Sequence, residues 1–545
     1  MKNLFKKICF SKLLLASIFS IALFYMNKIH FFEYVFENNY LEKYLFSEFL
    51  VLLILIPVNY ILLGFIEKYY KVLTNNLIVN NEYINKKKFC LIAFIFLLLI
   101  YGVYYFSFYP GGVYIDTWSS YGYLTGEQSF SNHQPVLYTL SLNLVKAFGD
   151  NLEAGFAVYT ALQVIIMVTC LTYFIYWLLK KNVNPKAVAF ITILLGTFKL
   201  FPLYSVSIWK DTPFSLALFL NILVIIDLII DIQNNDIRIK NIIKYSITSL
   251  LVLFLRNNGL FISLGITCIG LITLLICKIQ KIKIKRLLTL NIISIISVLF
   301  FLIMNQLYPY MGISTDSSLE ESLGIPIQQI ARVVVVDGNI TNEQKELIEK
   351  IIPIDVIKEK YLALLVDPIK WDENFNAEYL KENIDLYAKL WFELLIQNPG
   401  EYINAYLLQT SGFWTFNVKG PEAYHSAVKW ETIPEITQID LIEENFNHSV
   451  KDDLLTIPYY SGGLFFWITI LSMYLTYKLA NKRFLIAYIP AIILWGTIMI
   501  STPMGSALRY VYILVLMLPL NIVYPMIASK YEEVKCQKQL NCVNK

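Results

Sequence analysis

Arginine is scarce: only six of the 45 basic residues among 545 are arginine, so the place of each one carries information. Cysteine is scarce as well. All seven (Cys9, Cys90, Cys170, Cys268, Cys277, Cys536 and Cys542) lie in or beside apolar segments or in the lysine-bearing C-terminal tail. None falls in the long polar stretches, which excludes a disulfide framework and a cysteine metal site. The chain also lacks a Gly-rich phosphate loop, an internal repeat and any low-complexity tract. Nucleotide use by a soluble fold therefore has no support, and no feature asks for nucleic acid as a partner.

Apolar residues are abundant instead. The chain is 57% hydrophobic with a mean hydropathy of +0.55, which excludes a single soluble globule. Apolar runs of 18 to 26 residues recur, each long enough to cross a hydrocarbon core of about 30 Å. The expected fold is an all-α polytopic membrane protein. The run 9–27 follows Lys6 and Lys7 like a signal-peptide core but lacks a small-residue cleavage site, so it reads as a retained anchor helix. A composition rich in Lys, Ile and Asn fits an AT-rich bacterial genome, and hence a bacterial plasma membrane.

The net charge of +4 hides a division. Residues 308–458 hold 25 acidic and 11 basic residues, a net of −14, which leaves +18 for the remainder. Under the positive-inside rule the lysine clusters near residues 6–7, 86–88, 180–181, 240–244, 278–286, 481–483 and beyond 530 mark the cytoplasm, with both termini there. The spans between them are 9–27, 46–65, 89–108, 154–179, 186–204, 212–230, 287–307, 459–478, 484–501 and 507–528, about ten in all.

Two segments break this pattern. Residues 134–148 would make a helix only about 22 Å long at 1.5 Å per residue, so they are expected to lie on or dip into the outer leaflet. Residues 245–255 and 260–277 sit between lysine-rich segments and must form a hairpin turning at Arg256, Asn257, Asn258 and Gly259. Irregular backbone at membrane depth is tolerated when it lines a wet cavity, which makes this turn a candidate cavity wall.

The organisation that follows is 1–88, N-terminal transmembrane helices; 89–307, a transmembrane core with a first outer loop at 109–153; 308–458, a mainly helical extracytoplasmic domain; 459–530, C-terminal transmembrane helices; and 531–545, a cytoplasmic tail. In the outer domain, residues 382–399 carry a helical pattern that stops at Asn398-Pro399-Gly400, and the aromatic stretch 402–416 is expected to form an interfacial belt.

Residues 109–135, YPGGVYIDTWSSYGYLTGEQSFSNHQP, form the stretch richest in chemistry. Asp116 follows a Pro-Gly-Gly turn amid aromatic residues; a carboxylate there can act as general base, or can hold a divalent cation. It also fits a cap on a helix beginning at Thr117. His133 can meet a sugar or phosphate oxygen, or simply face water; Glu127 reads as solvated. In SIWKDTPFS, Lys210 can meet a phosphate or pair with its neighbour Asp211.

Three arginines, Arg238, Arg286 and Arg483, fall on the lysine-rich side. The others are Arg256, Arg332 and Arg509. A charge near the end of an apolar helix is costly and usually partnered, and a planar guanidinium matches two phosphate oxygens. Snorkelling or a structural salt bridge explains the same placement.

Taken in order, IDTW, HQPVLY, WKDTPFS, LRNNG, IPIQQIARV, NPGEYINAYL and ALRY resemble the C-type (GT-C) integral-membrane glycosyltransferase superfamily, and more closely an uncharacterised bacterial multi-pass family grouped with it. The broad resemblance covers roughly 85–300 and 455–530. It implies a GT-C-like fold and transfer of a sugar from a polyprenyl-phosphate donor to a cell-envelope acceptor (glycan, lipid or protein) on the outer face. The family acid falls on Asp116, as base or acceptor-positioning group; His133, Lys210, Asp211, Arg256, Arg332 and Arg509 become substrate-binding candidates.

Many relatives have two adjacent acids where this chain has Asp116-Thr117, and His-Pro-Pro where it has His133-Gln134-Pro135. No resident cofactor is implied; a divalent cation would need Asp211 as second ligand. Replacing Arg256 by Ala is expected to weaken donor binding more than it disturbs the fold. The rival readings are a transporter or flippase, a polymerase of lipid-linked glycans, and a non-catalytic envelope assembly protein.

Overall fold

The computed structural model describes residues 9–32, 45–79, 81–279, 285–315, 319–416, 433, 435–447, 449–455, 460–501, 504–505 and 507–543. Lys6 and Lys7, on which the placement of the N-terminus rests, lie outside them. The fold is all-α, and among the described residues eight helices are long and apolar enough to cross a membrane. A ninth forms if Pro185–Thr197 and Leu200–Val206, bent by 51°, count as one span.

Two of the ten expected spans depart from a plain crossing. Run 186–204 breaks where Phe198 leaves the helical region (φ −75°, ψ 101°) and Lys199 turns its amine to the Asp453 carbonyl. Run 459–478 forms the 18-residue helix Gly462–Leu479, outside the eight because Thr, Ser, Tyr and Lys side chains dilute it. Residues 10–27 of the first run lie within the 23-residue helix Phe10–Phe32.

Residues 134–148 fold as the short helices Val136–Ser141 and Asn143–Lys146, too short to cross. The hairpin exists, but its first arm, Ile239–Leu255, starts six residues earlier than expected and is 17 residues long. Lysines taken as flanking charge are therefore on the helix; Lys244 Nζ donates to Tyr173 Oη at 2.7 Å.

Helices Asp211–Gln233 and Leu508–Val534 form the centre, each with 89% of its apolar window buried, whereas Leu50–Leu77, at 11%, lies at the periphery. A fully buried aromatic and aliphatic core including Leu171, Phe174, Tyr204, Leu218 and Tyr512 packs between them. A polar cluster at the lysine-rich end of the bundle joins Lys181 to Asp227 at 2.5 Å, Arg238 to Asp231 at 2.7 Å and Arg286 to Asp236 at 2.9 Å.

Residues 319–409 build a second core on Ile330, Val333, Ile348, Leu390, Leu394 and Tyr402. Its helix Ile384–Gln397 ends at Asn398, where the pattern predicts. The domain is stitched to the bundle by backbone: Gly505 N donates to Leu364 O at 2.7 Å and Gly412 N to Gly505 O at 2.9 Å, while Leu365 pairs with Met504. The belt expected over 402–416 differs. Phe413 and Trp414 are buried, and their carbonyls accept from the indoles of Trp495 at 2.9 Å and Trp467 at 2.8 Å. These aromatics join the domain to the bundle rather than facing lipid.

Candidate functional site

A two-residue parallel sheet, the only named sheet among the described residues, sets the geometry of the site. Gly112–Val113 (β1) follows the helix Lys86–Ser107, and Ser207–Ile208 (β2) precedes the helix Asp211–Gln233. Gly112 pairs with Ser207 and Val113 with Ile208. The register brings two loops about 95 residues apart in sequence side by side, so that Asp116 and Lys210 meet three residues beyond one strand and two beyond the other.

Gly111 makes the turn possible. Its φ of +125° disfavours any side chain, and a Cβ there would lie 2.2 Å from Thr160 Oγ1, whose hydroxyl donates to Pro110 O at 2.7 Å. Tyr114 then stacks on Trp209 at 4.0 Å, closing the floor beneath both loops.

Helix Ile115–Thr125 begins two residues earlier than the cap reading requires. Its N-cap is Tyr114, and Asp116 lies in its first turn. The carboxylate serves two cations: Arg509 Nη1 lies 3.0 Å from Oδ2 and Lys210 Nζ 3.7 Å from the same oxygen. Burial alone would raise the pKa of Asp116. Lys210 and Arg509, with a contribution from His133, outweigh it and hold the carboxyl well below the usual carboxylate range.

Lys210 does not pair with Asp211. It donates to Gln134 Oε1 at 2.6 Å, a fixed acceptor on a side chain that is almost wholly buried. Asp211 turns inward and meets Arg256 Nη1 at 2.6 Å, with its side chain fully buried and that of Arg256 nearly so. Arg256 also donates to the Tyr510 carbonyl at 3.3 Å. The ring of Tyr510 meets two guanidiniums, its centroid 5.3 Å from Arg256 Cζ and 5.1 Å from Arg509 Cζ.

This pair changes the expectation for Arg256→Ala. Removal would strand Asp211 in the bundle, an error that typically costs about 3–5 kcal/mol, so the fold would suffer at least as much as binding.

These groups surround a cavity of about 700 Å³. Of the seven candidates read from sequence, Asp116, His133, Lys210, Arg256 and Arg509 line it, and Asp211 sits behind Arg256. Arg332 does not belong. It lies in the helix Gly324–Val335, paired with Glu401 at 2.8 Å, in the core of the second domain. Glu127 is exposed on its loop, as read.

The hairpin turn does form a cavity wall, through Arg256, Asn257 and Asn258. Asn258 Nδ2 donates to Thr497 Oγ1 at 2.9 Å and fixes the turn against the helix Ile489–Ile500.

Glu321, Asp367, Lys370 and Trp371, all from the 308–458 region, also line the cavity and are not among the candidates read from sequence. A Lys-Trp-Asp-Glu run in an acid-rich domain was the available signal, but 25 acids spread over that region hide it.

Among the described residues no group of three or more His, Cys, Asp or Glu side chains could hold a metal ion. Asp116 and Asp211 already face guanidiniums, so the residues present do not assemble the two-carboxylate cation site considered above. A second cavity, of about 310 Å³, lies among Ile225, Ile229, Ile266, Leu290 and Arg483. It is apolar and no carboxylate lines it, so the chemistry belongs to the larger one.

No curated protein and no solved structure matches the chain. A family model does match, over residues 103–539, more than half of the chain and the whole of the cavity wall described here. On that match the chain belongs to the family of unknown function DUF6020.

Proposed function

We propose that this protein is a membrane glycosyltransferase of GT-C type, moving a sugar from a polyprenyl-phosphate donor to a cell-envelope acceptor. The observation that carries the reading is the convergence of one ionised carboxylate, Asp116, with Lys210, Arg256 and Arg509 around one large cavity at the end of a membrane bundle. In this reading the lysine-rich end of the bundle faces the cytoplasm and the cavity faces the outer side of the plasma membrane.

The donor brings a phosphate that becomes more anionic as it leaves the anomeric carbon. Preorganised cations stabilise that charge without reorganising at the moment of reaction. Arg509 and Arg256, both close to the Tyr510 ring, offer fork-shaped donors suited to phosphate oxygens; Lys210, steadied by Gln134, adds a point charge.

The acceptor hydroxyl oxygen forms the new bond to the anomeric carbon while the carbon–phosphate oxygen bond breaks and its electron pair stays on the phosphate. The hydroxyl proton passes to Asp116 and then to water. A carboxylate held below its usual pKa is a weak base. Its main work is therefore to accept a hydrogen bond from the hydroxyl and orient it, taking the proton late, as the acceptor oxygen turns acidic.

The test is Asp116→Asn at matched protein level, in membranes supplied with a polyprenyl-phosphate sugar. Transfer is expected to fall by about 10²–10⁴-fold, the span typical of a positioned acid–base group. Unchanged transfer would remove Asp116 from the mechanism.

A further inference from the structure

The cavity has two chemically different walls. On the bundle side, Lys210, Arg256 and Arg509 face two carboxylates, Asp116 and Asp211, an excess of one positive charge. On the domain side, Lys370 is almost completely buried and lies 2.8 Å from Glu321 and 2.9 Å from Asp367. That is one cation between two carboxylates, an excess of one negative charge.

Burial works against the charge on Lys370; Asp367 and Glu321 restore it and raise its pKa above the ordinary value. Lys370 is thus a fixed strut that aligns the two acids. Each acid meets it through one oxygen, which leaves the second oxygen of each without a partner among the described residues. Beside them stands Trp371, 58% exposed although it lines the cavity. A large exposed ring beside two acceptor oxygens matches the two sides of a pyranose, whose C–H face packs on an aromatic plane while its hydroxyls donate to carboxylates.

We infer that the domain wall, made of Trp371, Glu321 and Asp367, is a saccharide subsite for the acceptor, and that it takes neutral or amine-bearing sugars and turns away anionic ones. The assignment rests on the transferase reading and deepens it by naming the acceptor class. An anionic donor belongs on the bundle wall, where the cations are. An anionic acceptor would meet two carboxylates across a cavity shared with that donor, and like-charge juxtaposition is the usual means of rejecting a wrong partner.

The experiment uses the full-length protein in nanodiscs, with no donor present. Saturation-transfer NMR measures the binding of three probes: methyl glucoside, methyl glucosaminide and methyl glucuronide. The first two are expected to bind, and the glucuronide at least about tenfold more weakly.

Trp371→Ala, a change at an exposed ring that the fold can absorb, should weaken the two that bind by about tenfold, and Trp371→Phe should recover part of the loss. Glu321→Gln keeps the Lys370–Asp367 pair and should narrow the gap between glucoside and glucuronide.

A glucuronide bound as tightly as the glucoside would overturn the inference. So would glucoside binding indifferent to Trp371→Ala, or no binding of any probe at about 50 mM. Failure of the transferase reading looks different: it shows as transfer unchanged by Asp116→Asn, whatever these sugars do.

Discussion

Both ends of the bundle gather charge, and they use it differently. At the lysine-rich end Asp231 is saturated. Asp231 accepts from the Arg238 backbone at 3.0 Å, from its Nε at 2.8 Å and from Asn241 at 2.8 Å. Asp227 meets Lys181 at 2.5 Å and the Trp177 indole at 3.2 Å, both through Oδ1, and lines neither cavity described above. At the cavity end, Asp116 has two cations on a single oxygen, and Arg256 and Arg509 line open space. Saturated pairs hold helices in place. Paired charges that also border a cavity can meet a ligand's charge as well as each other, which is where function is expected.

The largest expected effect probes whether that distinction holds inside the cavity end itself. Arg256 both holds Asp211 and faces the cavity. Arg256→Ala should lower stability by about 3–5 kcal/mol, because a fully buried carboxylate loses its partner. Asp211→Asn in the same chain should restore much of that loss without restoring donor binding. Thermal unfolding in detergent and donor binding, measured side by side, separate the two roles. Rescue of binding together with stability would make Arg256 structural and erase the contrast between the two ends.

Arg509→Lys is expected next in size. It keeps a positive charge beside Asp116 but loses the planar fork that meets the rings of Trp209, at 5.3 Å, and Tyr510, at 5.1 Å. Transfer should fall by about 10²-fold, equivalent to about 2.7 kcal/mol of transition-state stabilisation, with little change in thermal stability. A fall in donor affinity alone, with turnover intact, would mean the fork serves binding rather than the transition state.

How much of this was legible in the sequence follows from where the information lies. Apolar runs are local, so the polytopic helical fold could be read directly. Spans that mix polar side chains into a helix (Gly462–Leu479) or bend at a single residue (Phe198) were counted as plain crossings. Asp116, His133, Lys210 and Arg256 stood out because each interrupts an apolar context or ends a helix.

The partner of each was not legible. Lys210 and Asp211 are adjacent in sequence yet face different ways, since a helix start turns successive side chains about 100° apart. Arg332 stood out by rarity and by its place in IPIQQIARV, and its partner Glu401, 69 residues away, is a product of the tertiary fold. The β1–β2 pairing was invisible because two-residue strands carry no periodicity. The domain wall at Glu321, Asp367 and Trp371 depends on how a second core docks through Gly505, where a Cβ would lie 1.8 Å from Gln409 O.

The smallest expected effect is on the pH profile. Asp116 has its folded pKa depressed by Lys210 and Arg509 against the opposing effect of burial. A depressed carboxyl contributes stability that is complete above its unfolded value, about 3.9, and is lost only as pH falls through the lower folded value. From about pH 5 to pH 8, then, Asp116 is ionised throughout, and neither stability nor transfer should change on its account.

Arg509→Gln removes one of the two cations, so the pKa should rise and the acid limb of residual transfer should move upward, toward the range an ordinary carboxylate shows. An acid limb already near pH 6 in the parent protein, unmoved by Arg509→Gln, would mean that the titrating group is not Asp116. The cavity-end carboxylate would then be as closed to chemistry as Asp231 at the other end.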